Sequence, residues 1–233
     1  MIKTISYETL GHADHGWLDA RHHFSFGGYR NPQRVHFGAL RVVNDDRVAA
    51  GQGFPEHPHD NMEIITYVRQ GAVAHRDSLG NEGLTAAGDV QVMSAGEGIE
   101  HEEFNKSAET LRLYQIWIIP AKDNVKPRWE QRQFPKDFSD KLTLLVSGQP
   151  EHKAAGAIFI NQDAAIYGGR IKAGASVEQS IKHMGYILVS KGNVTIGGNK
   201  LKEGDAAEVT AEKSVKITAD TDAEVLLIDV PEI

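Results

Sequence analysis

An all-β fold made of two similar units in tandem follows from three observations. Short runs rich in β-branched residues recur along the chain, and turn signals separate them every eight to twelve residues. That is the pattern of a sandwich or barrel. Glycine is frequent, 23 in 233 residues, which suits many tight turns between short strands. A local motif also repeats. Val68-Arg69-Gln70-Gly71-Ala72-Val73 with Ala87-Gly88-Asp89-Val90 returns as Val189-Ser190-Lys191-Gly192-Asn193-Val194 with Glu203-Gly204-Asp205-Ala206. In both copies a strand reaches Gly and turns, and a later Gly-Asp opens the next strand.

In chain order, residues 1–34 read as irregular. They carry His12, His15, His22 and His23, whose uneven spacing suits a packing or lid role better than metal ligation. Trp17, Phe24 and Phe26 are candidates for an apolar pocket wall. Residues 35–43 read as a strand that ends at the turn signal Asn44-Asp45-Asp46. Further strands are expected at 63–69, 72–76, 84–87, 90–93 and 111–119, the last stopped by Pro120. Residues 121–141 are polar, contain Pro127 and Pro135, and read as a connector that Trp129, Phe134 and Phe138 could dock on a domain. The strand pattern restarts at Leu142 and runs to Val230. The expected division is 1–120, a connector at 121–141, and 142–233. In the second unit His183 stands alone and reads as structural, so that unit is expected to lack metal ligands.

Composition narrows the function classes. Hydrophobic residues make up 40% and charged residues 24%, ordinary for a globular protein. No apolar run nears the ~18 residues needed to span a membrane. Residues 1–8 show no charged region leading into an apolar one, so no secretory signal and a cytoplasmic location are expected. A formal charge of -7 with no long Lys/Arg cluster argues against direct nucleic-acid binding. With no cysteine there are no disulfides and no thiolate ligands. His and carboxylate remain as the strong metal-binding side chains. The oligomeric state stays open.

Two short stretches ask to be read as one site. His57-Pro58-His59 and His101-Glu102-Glu103 each place two ligand-type residues at spacing i, i+2. In an extended strand such residues share a face. Brought together, the pairs supply three imidazoles and one carboxylate, a set for a divalent transition metal. The alternative is that these are surface histidines in loops. Glu63 is a second acidic candidate, but it lies four residues beyond His59, ~13 Å along an extended chain. It could ligate only if the chain bends at Asp60-Asn61. Glu102 should point away from the metal. Three His and one carboxylate leave up to two positions open on a six-coordinate ion, which is an arrangement for substrate rather than a closed structural site.

The spacing is also that of a known family. Gly51, five residues, His57-X-His59, three residues, Glu63, seven residues, Gly71 resembles the first cupin motif with one extra residue before the last Gly. Gly88, five residues, Ser94-X-Gly96, four residues, His101, three residues, Asn105 resembles the second, with Ser for Pro and two extra residues before His. Four stretches are similar to the pirin branch: residues 16–26, residues 54–64, His75-Arg76-Asp77-Ser78, and Ile99-Glu100-His101-X-Glu103. The resemblance implies two cupin-type barrels of the double-stranded β-helix or jelly-roll kind, with metal in the N-terminal one. It implies His57, His59, His101 and Glu103 as ligands, where ordinary cupins use the residue matching Glu63. It favours Fe(II), with Mn, Co, Ni, Cu or Zn also suited to these donors. It implies quercetin 2,3-dioxygenase-like activity on a flavonol and O2, with Glu103 as the proton acceptor. Other readings are a non-enzymatic, redox-sensing regulatory protein, or a metal-dependent isomerase or hydrolase.

Overall fold

The computed structural model describes residues 1–152 and 155–233. It is built from β-strands in two compact units, and two short 3-10 turns are the helical elements among the described residues. One unit comprises Gly11–Phe134 with Ile160–Gln162; the other comprises Met1–Leu10, Pro135–Phe159 and Asp163–Ile233. Each contains one seven-stranded and one four-stranded sheet. This is the two-barrel, cupin-type architecture expected from the repeat.

In the first unit the large sheet runs in the order Arg128–Arg132, Val90–Ser94, Glu63–Gln70, Leu111–Ile118, Leu40–Val48, Leu18–His22, Gly11–Asp14. The small sheet runs Gly53–His59, Ile99–Phe104, Ala72–Asp77, Glu82–Ala86. Neighbours in both sheets are antiparallel. Val48, Val68, Val73, Leu111 and Leu113 form one buried cluster with Leu18 and Ala20, and Ile64, Met93, Ala95 and Ile99 form another. Burial of such side chains, ~1.5–3 kcal/mol each, is what holds the strands in register. The second unit repeats the scheme around one apolar cluster that includes Ile171, Ile187, Val194, Ile217 and Leu227.

Three expectations need correction. Residues 1–34 are not irregular: they hold strands Ile2–Ile5, Gly11–Asp14 and Leu18–His22. Leu18, Ala20 and His22 alternate inward, but Ala and His give the period-2 pattern little hydropathy contrast. Ile2–Ile5 pairs with Ala206–Val209, which joins the first ten residues to the C-terminal unit rather than to 1–120. Asn44-Asp45-Asp46 is no turn. It lies inside the nine-residue strand Leu40–Val48, with all three residues buried. Partners remote in sequence make this possible. Asn44 Oδ1 meets His22 Nδ1 at 2.8 Å, and both Asp45 oxygens accept from Arg69 at 2.6 Å. The connector docks as its aromatics suggested: Trp129 packs against the Ile64–Met93–Ile99 cluster, and Arg128–Arg132 pairs with Val90–Ser94. Gly96 explains how the chain before it closes in. Its φ is +51°, and a Cβ there would lie 1.9 Å from the Val125 carbonyl oxygen.

Candidate metal centre

Strand pairing builds the site. Gly53–His59 and Ile99–Phe104 are antiparallel neighbours, with His101 opposite His57 and Ile99 opposite His59. His57 and His59, two apart, project to one face, and His101 joins them from the next strand. The three rings lie with centroids 4.5–5.0 Å apart. Their ligand atoms all fall within 4.8 Å of one another. Nitrogens bound at about 2.1 Å to one ion lie about 3–4 Å apart, so these imidazoles stand close to coordination spacing.

Hydrogen bonds indicate which nitrogen of each ring is the donor atom. His57 Nδ1 lies 2.7 Å from the Pro55 carbonyl oxygen. A carbonyl can only accept, so Nδ1 carries the proton and Nε2 carries the lone pair. His101 Nε2 is buried and makes no hydrogen bond, an expensive state unless a cation meets it. Burial, reinforced by His57, holds His59 near pKa 4, with Asp60 opposing. Burial, followed by His57, His59 and His75, holds His101 near 2. Both rings are therefore neutral at physiological pH, as metal ligation requires. A divalent transition ion fits this cluster.

Glu103 sits differently. It is 3% exposed and belongs to a second group with His75 and His101, whose ligand atoms also lie within 4.8 Å of one another. The strand pairing shifts by a bulge between His101 and Glu103. The carboxylate accepts from Thr66 Oγ1 at 3.0 Å, from Gln91 Nε2 at 2.5 Å and from Gln115 Nε2. Burial raises its pKa, opposed by His75 and by the Thr66 and Gln115 hydrogen bonds. His101 is thus shared by two triads, His57–His59–His101 and His75–His101–Glu103.

The other candidates separate cleanly. The chain does bend before Glu63, with Asn61 at φ 42°. Glu63 is nevertheless outside both triads, and it accepts from Ser94 Oγ at 2.7 Å and Asn161 Nδ2 at 2.9 Å rather than from a histidine ring. Glu102 pairs with Arg76 at 3.1 Å, away from the cluster. His12 is bonded to Asp19 at the surface, and His183 to Asp163. Phe24 is buried under the Arg34 guanidinium and does not line the cavity, contrary to expectation.

Beside the imidazoles lies a cavity of about 90 Å³, smaller than the ~300–1,000 Å³ usual for small-molecule sites. Its apolar wall is Leu18, Ala20, Phe26, Phe54, Ile64 and Trp117. Its polar wall is His22, Asn44, Asp46 and Gln115. Phe26 and Phe54 were legible as aromatics near the site. Trp117 and Gln115 were hidden in an apolar run read only as a strand, although their i, i+2 spacing was a usable signal. Asn44 and Asp46 were hidden by the turn reading.

Two cupin units with a histidine cluster in one of them define a bicupin with a candidate metal site. Residues 4–118 match the family model described as Pirin, and residues 144–230 match the quercetinase C-terminal cupin domain. The chain is 46% identical over 236 residues to a protein of Escherichia coli K12 named quercetin 2,3-dioxygenase, covering 100% of both chains. It is 47% identical to a pirin-like protein of Caulobacter vibrioides, covering 98% of this chain and 99% of that one. The bacterial pirin YhhW of Escherichia coli, solved in complex with nickel(II), superposes with a TM-score of 0.92 at 44% identity over 100% of both chains. The chain belongs to the pirin family.

Proposed function

We propose that this protein is a metal-dependent dioxygenase that opens the heterocycle of flavonols such as quercetin with O2 and releases carbon monoxide. The observation that carries this reading is the placement of three clustered imidazoles at the wall of an aromatic-lined cavity. The name of the Escherichia coli relative supports the substrate class.

His57, His59 and His101 hold one divalent ion, with Glu103 as the fourth ligand; we take iron as the working metal. When bound, the ion supplies the positive charge that acidifies a ligating hydroxyl of the substrate and brings substrate and O2 together. Phe26, Phe54 and Trp117 form an aromatic wall that packs on a planar ring and excludes water from it. Glu103 accepts the proton of the flavonol 3-hydroxyl at a carboxylate oxygen. Its three hydrogen-bond donors hold that carboxylate in place while it does so. Asp46, on the cavity wall, offers a polar group to the substrate. In the overall reaction both atoms of O2 enter the ester product, and the carbon bearing the 3-hydroxyl leaves as carbon monoxide.

The test is direct. Protein is loaded anaerobically with Fe(II), Mn, Co, Ni or Cu(II), quercetin is added and air is admitted. Loss of flavonol absorbance with stoichiometric carbon monoxide is the expected result. No turnover with any of these metals sinks the dioxygenase reading and leaves a metal-binding regulatory protein. His57→Ala and His101→Ala should each abolish stoichiometric metal binding. Full metal retention in both would refute the site.

A further inference from the structure

The stretch His75-Arg76-Asp77 is drawn into the metal-binding unit, yet neither His75 nor Asp77 lines the cavity. Both side chains are fully buried, and His75 Nε2 lies 3.0 Å from Asp77 Oδ2. Asp77 is saturated with donors. Its Oδ1 accepts from the backbone N–H groups of Leu79 and Asn81 at 3.0 Å, and Asn81 Nδ2 reaches both oxygens at 3.0–3.1 Å. A carboxylate whose lone pairs all face N–H groups leaves no room for a proton of its own. The proton in the His75–Asp77 bond therefore sits on His75 Nε2, and a neutral His75 has a bare Nδ1. That Nδ1 faces His101 Nδ1 at 3.5 Å, the long end of the hydrogen-bond range. Two bare nitrogens would repel, so the His101 nitrogen is the donor. His101 Nε2 is then left as a lone pair, and it is the buried atom that makes no hydrogen bond. Trp129, stacked on His75 with centroids 4.7 Å apart and planes 6° apart, holds the middle ring in place.

We propose that Asp77 and His75 are positioning residues for the metal centre: the chain Asp77–His75–His101 keeps His101 protonated at Nδ1 and presents Nε2 to the ion. The arrangement extends the usual pairing of a ligand histidine with a carboxylate by one imidazole. It also gives His75 a role other than ligation, although His75, His101 and Glu103 stand close enough to hold an ion of their own. With His75 Nε2 held by Asp77, an ion there would take the His75 Nδ1 lone pair that accepts from His101, so the two arrangements exclude each other.

The experiment reads the metal centre rather than turnover, so its outcome is independent of the dioxygenase proposal. In metal-free protein with ¹⁵N-labelled histidine, long-range ¹H–¹⁵N correlation should find His101 as the Nδ1–H tautomer. Nickel(II) affinity is then measured by competition with a chelator. His75→Phe keeps the stack on Trp129 and removes both nitrogens. It should weaken nickel binding about 10- to 100-fold and release His101 to a mixture of tautomers. Asp77→Asn should move both readouts the same way. His75→Gln, whose amide can accept from His101 and donate to Asp77, should restore affinity to within about 3-fold. Nickel should bind at one ion per chain. The proposal is overturned if His101 carries its proton on Nε2, if His75→Phe binds nickel as tightly as wild type, or if two ions bind per chain. If His75→Phe does not fold, the wild-type tautomer and the stoichiometry still decide.

Discussion

Asp46 is a carboxyl 3% exposed on the cavity wall, with no side-chain hydrogen bond recorded among the described residues. Burial, with Asp45 and Glu103 adding like charge, pushes its pKa well up. Burial thus favours its protonated form, which can donate to a substrate oxygen. Asp46→Asn keeps a donor and should change the KM for quercetin less than about 3-fold. Asp46→Leu should raise KM about 10-fold, the worth of one hydrogen bond, while nickel stoichiometry stays the same. An unchanged KM in Asp46→Leu would remove Asp46 from the substrate contacts.

The strand pair Gly53–His59 and Ile99–Phe104 carries the ligands, and its geometry depends on a glycine. A Cβ on Gly53 would sit 2.2 Å from the Glu103 carbonyl oxygen and 2.6 Å from Phe104 Cα, beside the bulge that separates His101 from Glu103. Gly53→Ala must push the two strands apart at that bulge. A cost of about 1–3 kcal/mol is expected, seen as a lower midpoint in urea, together with weaker nickel binding. Loss of stability without loss of affinity would show that the bulge does not set ligand spacing. The strand Leu40–Val48 teaches a different lesson. Asn-Asp-Asp is a turn signal because these side chains compete for the backbone. Here Arg69 takes Asp45, with its guanidinium also over the Tyr114 ring at 4.6 Å, and His22 takes Asn44. Those partners come from two other strands, so no local window could reveal them.

For the molecule as a whole, pH sensitivity follows from buried histidine. His23 is 1% exposed, and burial, followed by Arg34 and Arg69, holds it near pKa 3 against 6.5 when free. Between those values the unfolded chain binds a proton that the folded one refuses. Stability is therefore whole above about pH 6.5 and falls as pH drops toward 3, by at most about 1.4 kcal/mol per unit from this group. Replacing His23 with Phe should flatten that part of the curve of urea midpoint against pH. An unchanged slope would place the sensitivity elsewhere.

The all-β class, the tandem repeat and the His-X-His and His-X-Glu pairs were legible because each is a local pattern: alternation, turn glycines and spacing two along a strand. Everything that depended on a neighbouring strand was not. The joining of residues 1–10 to the C-terminal unit, the burial of Asn44, Asp45 and Asp46, the entry of Trp117 into the cavity wall and the docking of Trp129 on His75 come from pairings between segments far apart in sequence. The carboxylate shows the division most clearly. Spacing put Glu103 on the same face as His101. Only the folded chain, through a bulge and three donors from other strands, grouped it with His75 and His101, because register and hydrogen-bond partners are properties of the sheet and not of the strand.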